Sequence, residues 1–471
     1  MNRIETMDTQ CLMQLEKQLK NHGLINRAAI LVIWIFVIFY FQLTNINLLI
    51  ISICFCSLFL LNIDYSIGTI ILCYALIPSD YINYMFVPSP FGNFPFYVLL
   101  TFAFLIIECI NNIFVKKNFK ISKSNFKITY SFILLIIAIL ITVLFNGLSK
   151  EMISNTIKFI VQIMGIGGLI LLKNLNRKEI DKILLFCICV SMSVSFIAVI
   201  EVIGKVNIYN FYGRQYYSQW YDYVLSINSS WRAKSTLGNP LVFSSYLILS
   251  IPIIEYFRQK CLNTFWLVIF ISSISVGIIL SGSRSACLAL VIYFIYIIIK
   301  SKIRQKITIL IFSAAAVVII LYKVDLSLLL ERISNAGSDG SLADRQLAYS
   351  VFLNVIGLNI FVGIGLGNTY SALAGMVGGN NTFDNGILEL LYAIGILGVI
   401  PIIYLLITLR FVHNNGQQTY RYNLIINSLI IAMLYLSFFL NVTKYQSLWG
   451  VFWVYMFLLY KLKTRVKAIN K

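Results

Sequence analysis

Residues 385–409 read NGILELLYAIGILGVIPIIYLLITL, 25 positions of which only Glu389 is charged. A helix of that length is about 37 Å long, enough to cross a hydrocarbon core of about 30 Å. The stretch therefore reads as a transmembrane helix, and the rest of the chain agrees with it. Of 471 residues 59% are hydrophobic and 12% charged, and the mean hydropathy is +0.85. A soluble domain uses about 25% charged residues to coat its surface, so a soluble globule is excluded and the bilayer is the implied solvent.

Long apolar runs bounded by charge or turn residues recur at 28–44, 46–62, 66–82, 94–115, 129–145, 153–172, 183–203, 237–257, 264–280, 285–299, 307–322, 385–409, 423–440 and 446–460. The expectation is an all-α polytopic integral membrane protein with about 14 transmembrane helices, within a range of about 12 to 14. With alternate connections assigned to opposite sides, one side collects 26 Lys and Arg and the other 10, with Lys158 inside a span. The richer side is cytoplasmic by the positive-inside rule, which puts both termini in the cytoplasm. The chain then divides into a cytoplasmic segment 1–27, an N-terminal transmembrane bundle 28–203, an aromatic outer loop 204–236, spans within 237–322, a large outer loop 323–384 with an amphipathic helix, spans within 385–460 and a basic cytoplasmic tail 461–471.

The net charge of +19 is on this reading mostly a topology signal plus attraction to anionic lipid headgroups. No loop pairs a basic stripe with a nucleic-acid-binding motif, so nucleic acid is excluded as a partner. The two histidines, His22 and His413, fall on the cytoplasmic side, which excludes zinc chemistry or a histidine base on the outer face. The nine cysteines fall in spans or cytoplasmic segments, away from any extracytoplasmic disulfide.

The informative cations are the outer minority. In the first outer loop, aromatics such as Tyr216, Tyr217, Trp220 and Tyr221 suit either an interfacial belt or a platform for sugar rings. Arg232 and Lys234 follow, and then Gly238, Asn239 and Pro240 open the next span. Arg284 stands at the outer start of a span in LSGSRSACLAL. In the second loop, Ser341 and Asp344 resemble a capping box, and Arg345 falls within the apolar arc of Ala348, Val351, Phe352, Val355 and Ile356. A cation on a buried helix face needs an anionic ligand or an acidic partner, and both readings stand. Gly363, Gly365, Gly367 and Asn368 in FVGIGLGN lack the preceding strand of a dinucleotide site and read as a tight turn at a close backbone approach. Asp384 and Asn385 open the last-quoted span, with Glu389 about one turn deeper as either a functional acid or a satisfied core residue.

Four segments in order, WRAKSTLGNPLVFSSYLILS, LSGSRSACLALVIYFI, ADRQLAYSVFLNVIGLNIFVGIGLGN and TFDNGILELLYAIGILGVIPIIY, resemble the O-antigen ligase and Wzy-type polysaccharide polymerase superfamily. They cover about 232–404. The resemblance implies a helical, C-type glycosyltransferase architecture in the plasma (inner) membrane. It further implies a donor of sugars linked to undecaprenyl pyrophosphate, an active site on the extracytoplasmic side, and functional arginines matching Arg232, Arg284 and Arg345. Ligases of the family typically carry a histidine where this chain has Asp384, a departure more in keeping with a polymerase. A flippase and a chain-length regulator of the same pathway are the protein partners implied.

Chemistry supplies its own argument for these residues. Transfer from a lipid pyrophosphate builds negative charge on phosphate oxygens, and arginine's planar fork binds such oxygens bidentately while staying charged. The catalytic assignments are Arg284 and Arg345 to the pyrophosphate and Asp384 as base for the acceptor hydroxyl, with orientation of the acceptor as its competing role. Arg232, Lys234, Asn239, Asn368 and Asn385 are expected to bind pyrophosphate or glycan. The chain has no D-x-D motif, and neither a metal nor a cofactor is expected. Polymerisation of lipid-linked repeat units into O-antigen or capsular polysaccharide is the leading function. A ligase moving finished glycan to a lipid, wall or protein acceptor is the near alternative, and a lipid-linked oligosaccharide flippase or a scaffold the distant ones.

Overall fold

The computed structural model describes residues 64–76, 86–89, 92–110, 112–113, 123–147, 149–204, 232–260, 264–300, 349–350, 352, 357, 359–367, 385–411, 417–440 and 445–469. The spans expected at 28–44, 46–62 and 307–322, the aromatics of the first outer loop and most of the amphipathic helix of the second lie outside them. Each of the other expected spans meets a helix. These are α1 (Tyr65–Leu76), α2 (Phe96–Ile110), α3 (Lys123–Asn146), α4 (Lys150–Leu172), α5 (Arg177–Gly204), α6 (Pro240–Gln259), α7 (Thr264–Leu280), α8 (Arg284–Lys300), α9 (Gly386–Arg410), α10 (Gln417–Phe439) and α11 (Gln446–Ile469).

Six of them, α3, α4, α5, α6, α9 and α10, are long and apolar enough to cross a membrane, and α1, α2, α7 and α8 contain shorter apolar helices. The protein is a multi-pass membrane protein. One feature adds to the all-α expectation: β1 (Phe86–Ser89) and β2 (Gly92–Pro95) form an antiparallel hairpin with Phe86 opposite Pro95. Four-residue strands containing Pro and Gly have neither the β-branched content nor the alternation that signals a strand in sequence.

The chain forms two compact units, each made of two stretches. The first takes residues 1–76 and 182–325. Its central helix is α6, buried at every position from Val242 to Phe257, as a helix apolar all round must be. Around it pack α7 and α8. Gly277 on α7 is where α7 comes closest: a Cβ there would stand 2.6 Å from Leu247 of α6 and 2.7 Å from Ser195 of α5. Ser191 and Ser250 join α5 to α6 through a 2.7 Å hydroxyl pair.

The second unit takes residues 77–181 and 326–471. Here α11 is central, with Trp449 stacked on Phe159 of α4 and Trp453, Phe457 and Tyr460 buried. It is not among the six helices long and apolar enough to cross a membrane; burial, more than hydropathy, accounts for its position. Gly167 on α4 lets Phe457 approach to where a Cβ would stand 2.5 Å from the ring. The outer faces of α3 and α9 expose Phe126, Leu140, Leu144, Ile400 and Ile403. In a chain of this composition such faces belong against lipid.

Within this unit hydrogen bonds tie helix ends together in two groups. At one end, the Lys461 ammonium donates to the carbonyls of Ile170, Leu171 and Lys173, and Lys463 to the carbonyl of Arg410 and to Asn423. Both lysines are buried, so the start of the basic tail seals the carbonyl ends of α4 and α9. At the other end, Asn146 donates to the Gly363 carbonyl and the Gly386 N–H to the Leu440 carbonyl.

Candidate active site

In the first unit, the segment Arg232–Asn239 is fastened at every step between α5 and α6. The Ala233 N–H donates to the Leu280 carbonyl at 3.0 Å. Lys234 is right-handed, with φ −116° and ψ −23°, and Ser235 is left-handed at φ 51°, the single non-glycine at positive φ among the described residues. That alternation turns successive backbone N–H groups toward one point, making an anion-binding concavity. The carboxylate of Glu201 fills it: Oε2 accepts the N–H of Lys234 at 2.9 Å and of Ser235 at 2.7 Å. The Ser235 hydroxyl donates to the Val194 carbonyl and the Thr236 hydroxyl to the Ala75 carbonyl, both at 2.6 Å. Asn239 then caps α6, its Oδ1 accepting the Leu241 N–H at 2.8 Å.

This anchoring fixes Arg232. Its Nε donates to the Ser281 carbonyl at 2.9 Å, and its side chain lies against Gly282, whose φ of +60° makes the turn from α7 into α8. Ser283 precedes α8, with its Oγ accepting the Ala286 N–H at 3.4 Å. Arg284 is the first residue of α8 and is exposed. Arg232 and Arg284, 52 positions apart in sequence, therefore border the same turn. Lys234 is buried, and its charge acts on Glu201.

In the second unit, Asn385 is buried and caps α9: Oδ1 accepts from Ile387 and Leu388, both at 3.0 Å, and Nδ2 donates to the Tyr349 hydroxyl at 2.9 Å. Phe352, assigned to the buried arc of its helix, is buried with its ring 6.0 Å from that of Tyr392. Further along, α9 breaks at Gly395, where φ 63° and ψ −177° form a conformation essentially confined to glycine. Beside the break, the Tyr392 and Ala393 carbonyls accept the N–H groups of Ile364 and Gly365, both at 2.9 Å. The FVGIGLGN turn thus lies directly on the broken helix. Gly363, Gly365 and Gly367 have φ of 78°, 96° and 99°. A Cβ on Gly363 would stand 2.5 Å from the Ala393 oxygen, one on Gly395 would overlap the Phe361 carbonyl, and one on Gly367 would overlap the Asn155 amide. Thr142 and Asn146 of α3 complete the junction by donating to the carbonyls of Val362 at 2.6 Å and Gly363 at 2.9 Å. The glycines serve a close backbone approach, as their spacing without a strand suggested.

Of the expected site residues, Arg232, Lys234, Asn239 and Arg284 occupy one end of the first unit, and Asn385 opens α9 in the second. Arg345, Asn368 and Asp384 lie outside the described residues. Asn239 and Asn385 each spend their amide oxygen on a helix cap. Glu201 and Tyr349 were not singled out in the sequence. For Glu201 a signal existed, since an acid in the last turn of a long apolar run is unusual at membrane depth. Among the described residues no three His, Cys, Asp or Glu side chains gather as a metal site. No curated protein matches the chain. The family model described as O-antigen ligase matches residues 267–403, a stretch that takes in Arg284, the glycine turn and the cap and break of α9. The matched stretch is under a third of the chain, and over it the chain is similar to the O-antigen ligase/Wzy-type superfamily.

Proposed function

We propose that the chain is a membrane glycosyltransferase that moves glycan from an undecaprenyl-pyrophosphate donor to a sugar hydroxyl on the outer side of the plasma membrane. The observation that carries this reading is the turn shared by Arg232 and Arg284 at the start of the domain match. Two arginines bordering one turn, with Arg284 exposed at a helix N-terminus, suit a donor pyrophosphate that is dianionic before transfer and gains a further negative charge as it leaves. In the reaction the bond between the anomeric carbon and the pyrophosphate oxygen breaks and the acceptor oxygen bonds to that carbon. The hydroxyl proton passes to Asp384, and the departing lipid pyrophosphate keeps the electron pair. Arg284 and Arg345 stabilise the charge that develops there, with Arg232 and Lys234 as further cations. Asn239, Asn368 and Asn385 are assigned to glycan or pyrophosphate contact, Asn239 and Asn385 through whatever their cap roles leave available.

Asp384 favours polymerisation of repeat units, whereas the domain match favours a ligase. Purified full-length protein in liposomes, given lipid-linked repeat units alone, separates the two. A ladder of products without a second acceptor supports the polymerase. Transfer that begins only when a second lipid, wall or protein acceptor is added supports the ligase. No release of lipid pyrophosphate under either condition overturns the transferase reading and brings the flippase forward in its place.

A further inference from the structure

A buried carboxylate at membrane depth calls for a reason, and Glu201 has a specific one. It is 2% exposed, and one of its oxygens accepts two consecutive backbone N–H groups. Those groups bracket Lys234 and lead into Ser235, whose left-handed backbone (φ 51°) is unfavourable for a residue with a side chain. Burying an acid and straining a serine both oppose folding, yet together they produce one outcome: the backbone takes one path at Lys234 and Ser235, beginning two residues after Arg232. That path brings the Ala233 N–H to the Leu280 carbonyl and the Arg232 guanidinium to the Ser281 carbonyl. A neutral apolar residue at 201 would pack as well and leave the two N–H groups without their acceptor.

We infer that Glu201 is a positioning residue, whose carboxylate folds the Lys234–Ser235 backbone around itself so that Arg232 is held beside the Gly282 turn for binding of the donor pyrophosphate. The inference rests on the role proposed above for Arg232. A carboxylate buried in a backbone cradle cannot itself reach substrate, so its loss acts on donor binding through Arg232.

The test is a double-mutant cycle on the purified full chain, with the donor KM and kcat measured on lipid-linked oligosaccharide and thermal stability measured alongside. Glu201→Ala is expected to raise the donor KM about tenfold, and Glu201→Gln, which keeps an acceptor oxygen, to restore most of it. In the Arg232→Ala background the Glu201→Ala penalty is expected to vanish, because the two changes remove the same interaction. Penalties that multiply overturn the inference while leaving Arg232's proposed role in place. Full transfer and an unchanged KM in Arg232→Ala alone overturn both. If Glu201→Ala does not fold, Glu201→Asp replaces it in the cycle. It keeps the charge but draws the carboxylate back by one bond, and the same non-additivity is required of it.

Discussion

The Arg232 segment and the Gly363–Gly395 crossing are both irregular backbone at helix ends, and they are held by opposite means. The first is fastened by side chains: a carboxylate, two hydroxyls and a guanidinium each satisfy a neighbouring backbone group. The second is fastened largely by the lack of side chains, with two backbones bonded directly at 2.9 Å where Cβ atoms would collide. Polar side chains permit graded adjustment of where a functional cation stands. A glycine crossing is all or nothing, because the obstacle to change is another backbone.

The contrast predicts a ranking of effects. Gly395→Val is expected to be the most damaging change, costing about 3 kcal/mol or more by combining a forbidden φ with a clash on the Phe361 carbonyl. The measurement is the yield of monodisperse protein on size exclusion, and a normal yield would break the comparison. Arg284→Lys is expected to leave folding intact, since the residue is exposed, and to lower transfer about a hundredfold through loss of the bidentate fork. Wild-type product levels in cells carrying it would remove Arg284 from the site.

Asn385→Ala is expected to cost about 1 kcal/mol of stability through loss of the cap to Ile387 and Leu388, and Asn385→Asp to recover it. A melting shift that Asp fails to recover would show that the amide nitrogen facing Tyr349 matters more than the cap. Thr142→Val, which removes a donor to the Val362 carbonyl, is expected to cost about 1 kcal/mol, the smallest effect at the crossing. If it proved as harmful as Gly395→Val, side chains would dominate that region too.

Much of the architecture was legible without the structure, for reasons particular residues make plain. The run at 385–409 is apolar because lipid and packed helices surround it, so its composition reports its surroundings. In the second unit Lys461 meets Lys173 and Lys463 meets Arg410, so these helix ends are neighbours. Arg232 and Arg284 were also visible, because they fall in the segments that the alternation of loops leaves poor in Lys and Arg. The caps formed by Asn239 and Asn385 were not separable from substrate contact, since an asparagine before a span suits either.

By itself, then, the sequence determined a multi-pass helical membrane protein and singled out a minority of its cations, because hydropathy and charge distribution are sums over local composition. Only the tertiary structure decided that Glu201 folds the backbone of Lys234 and Ser235 around itself, that Arg232 shares a turn with Arg284, and that Gly363 crosses Gly395. Those are contacts between positions 32 to 52 residues apart. Which partner satisfies a buried donor or tolerates a missing Cβ depends on how the helices pack, and no local pattern encodes that.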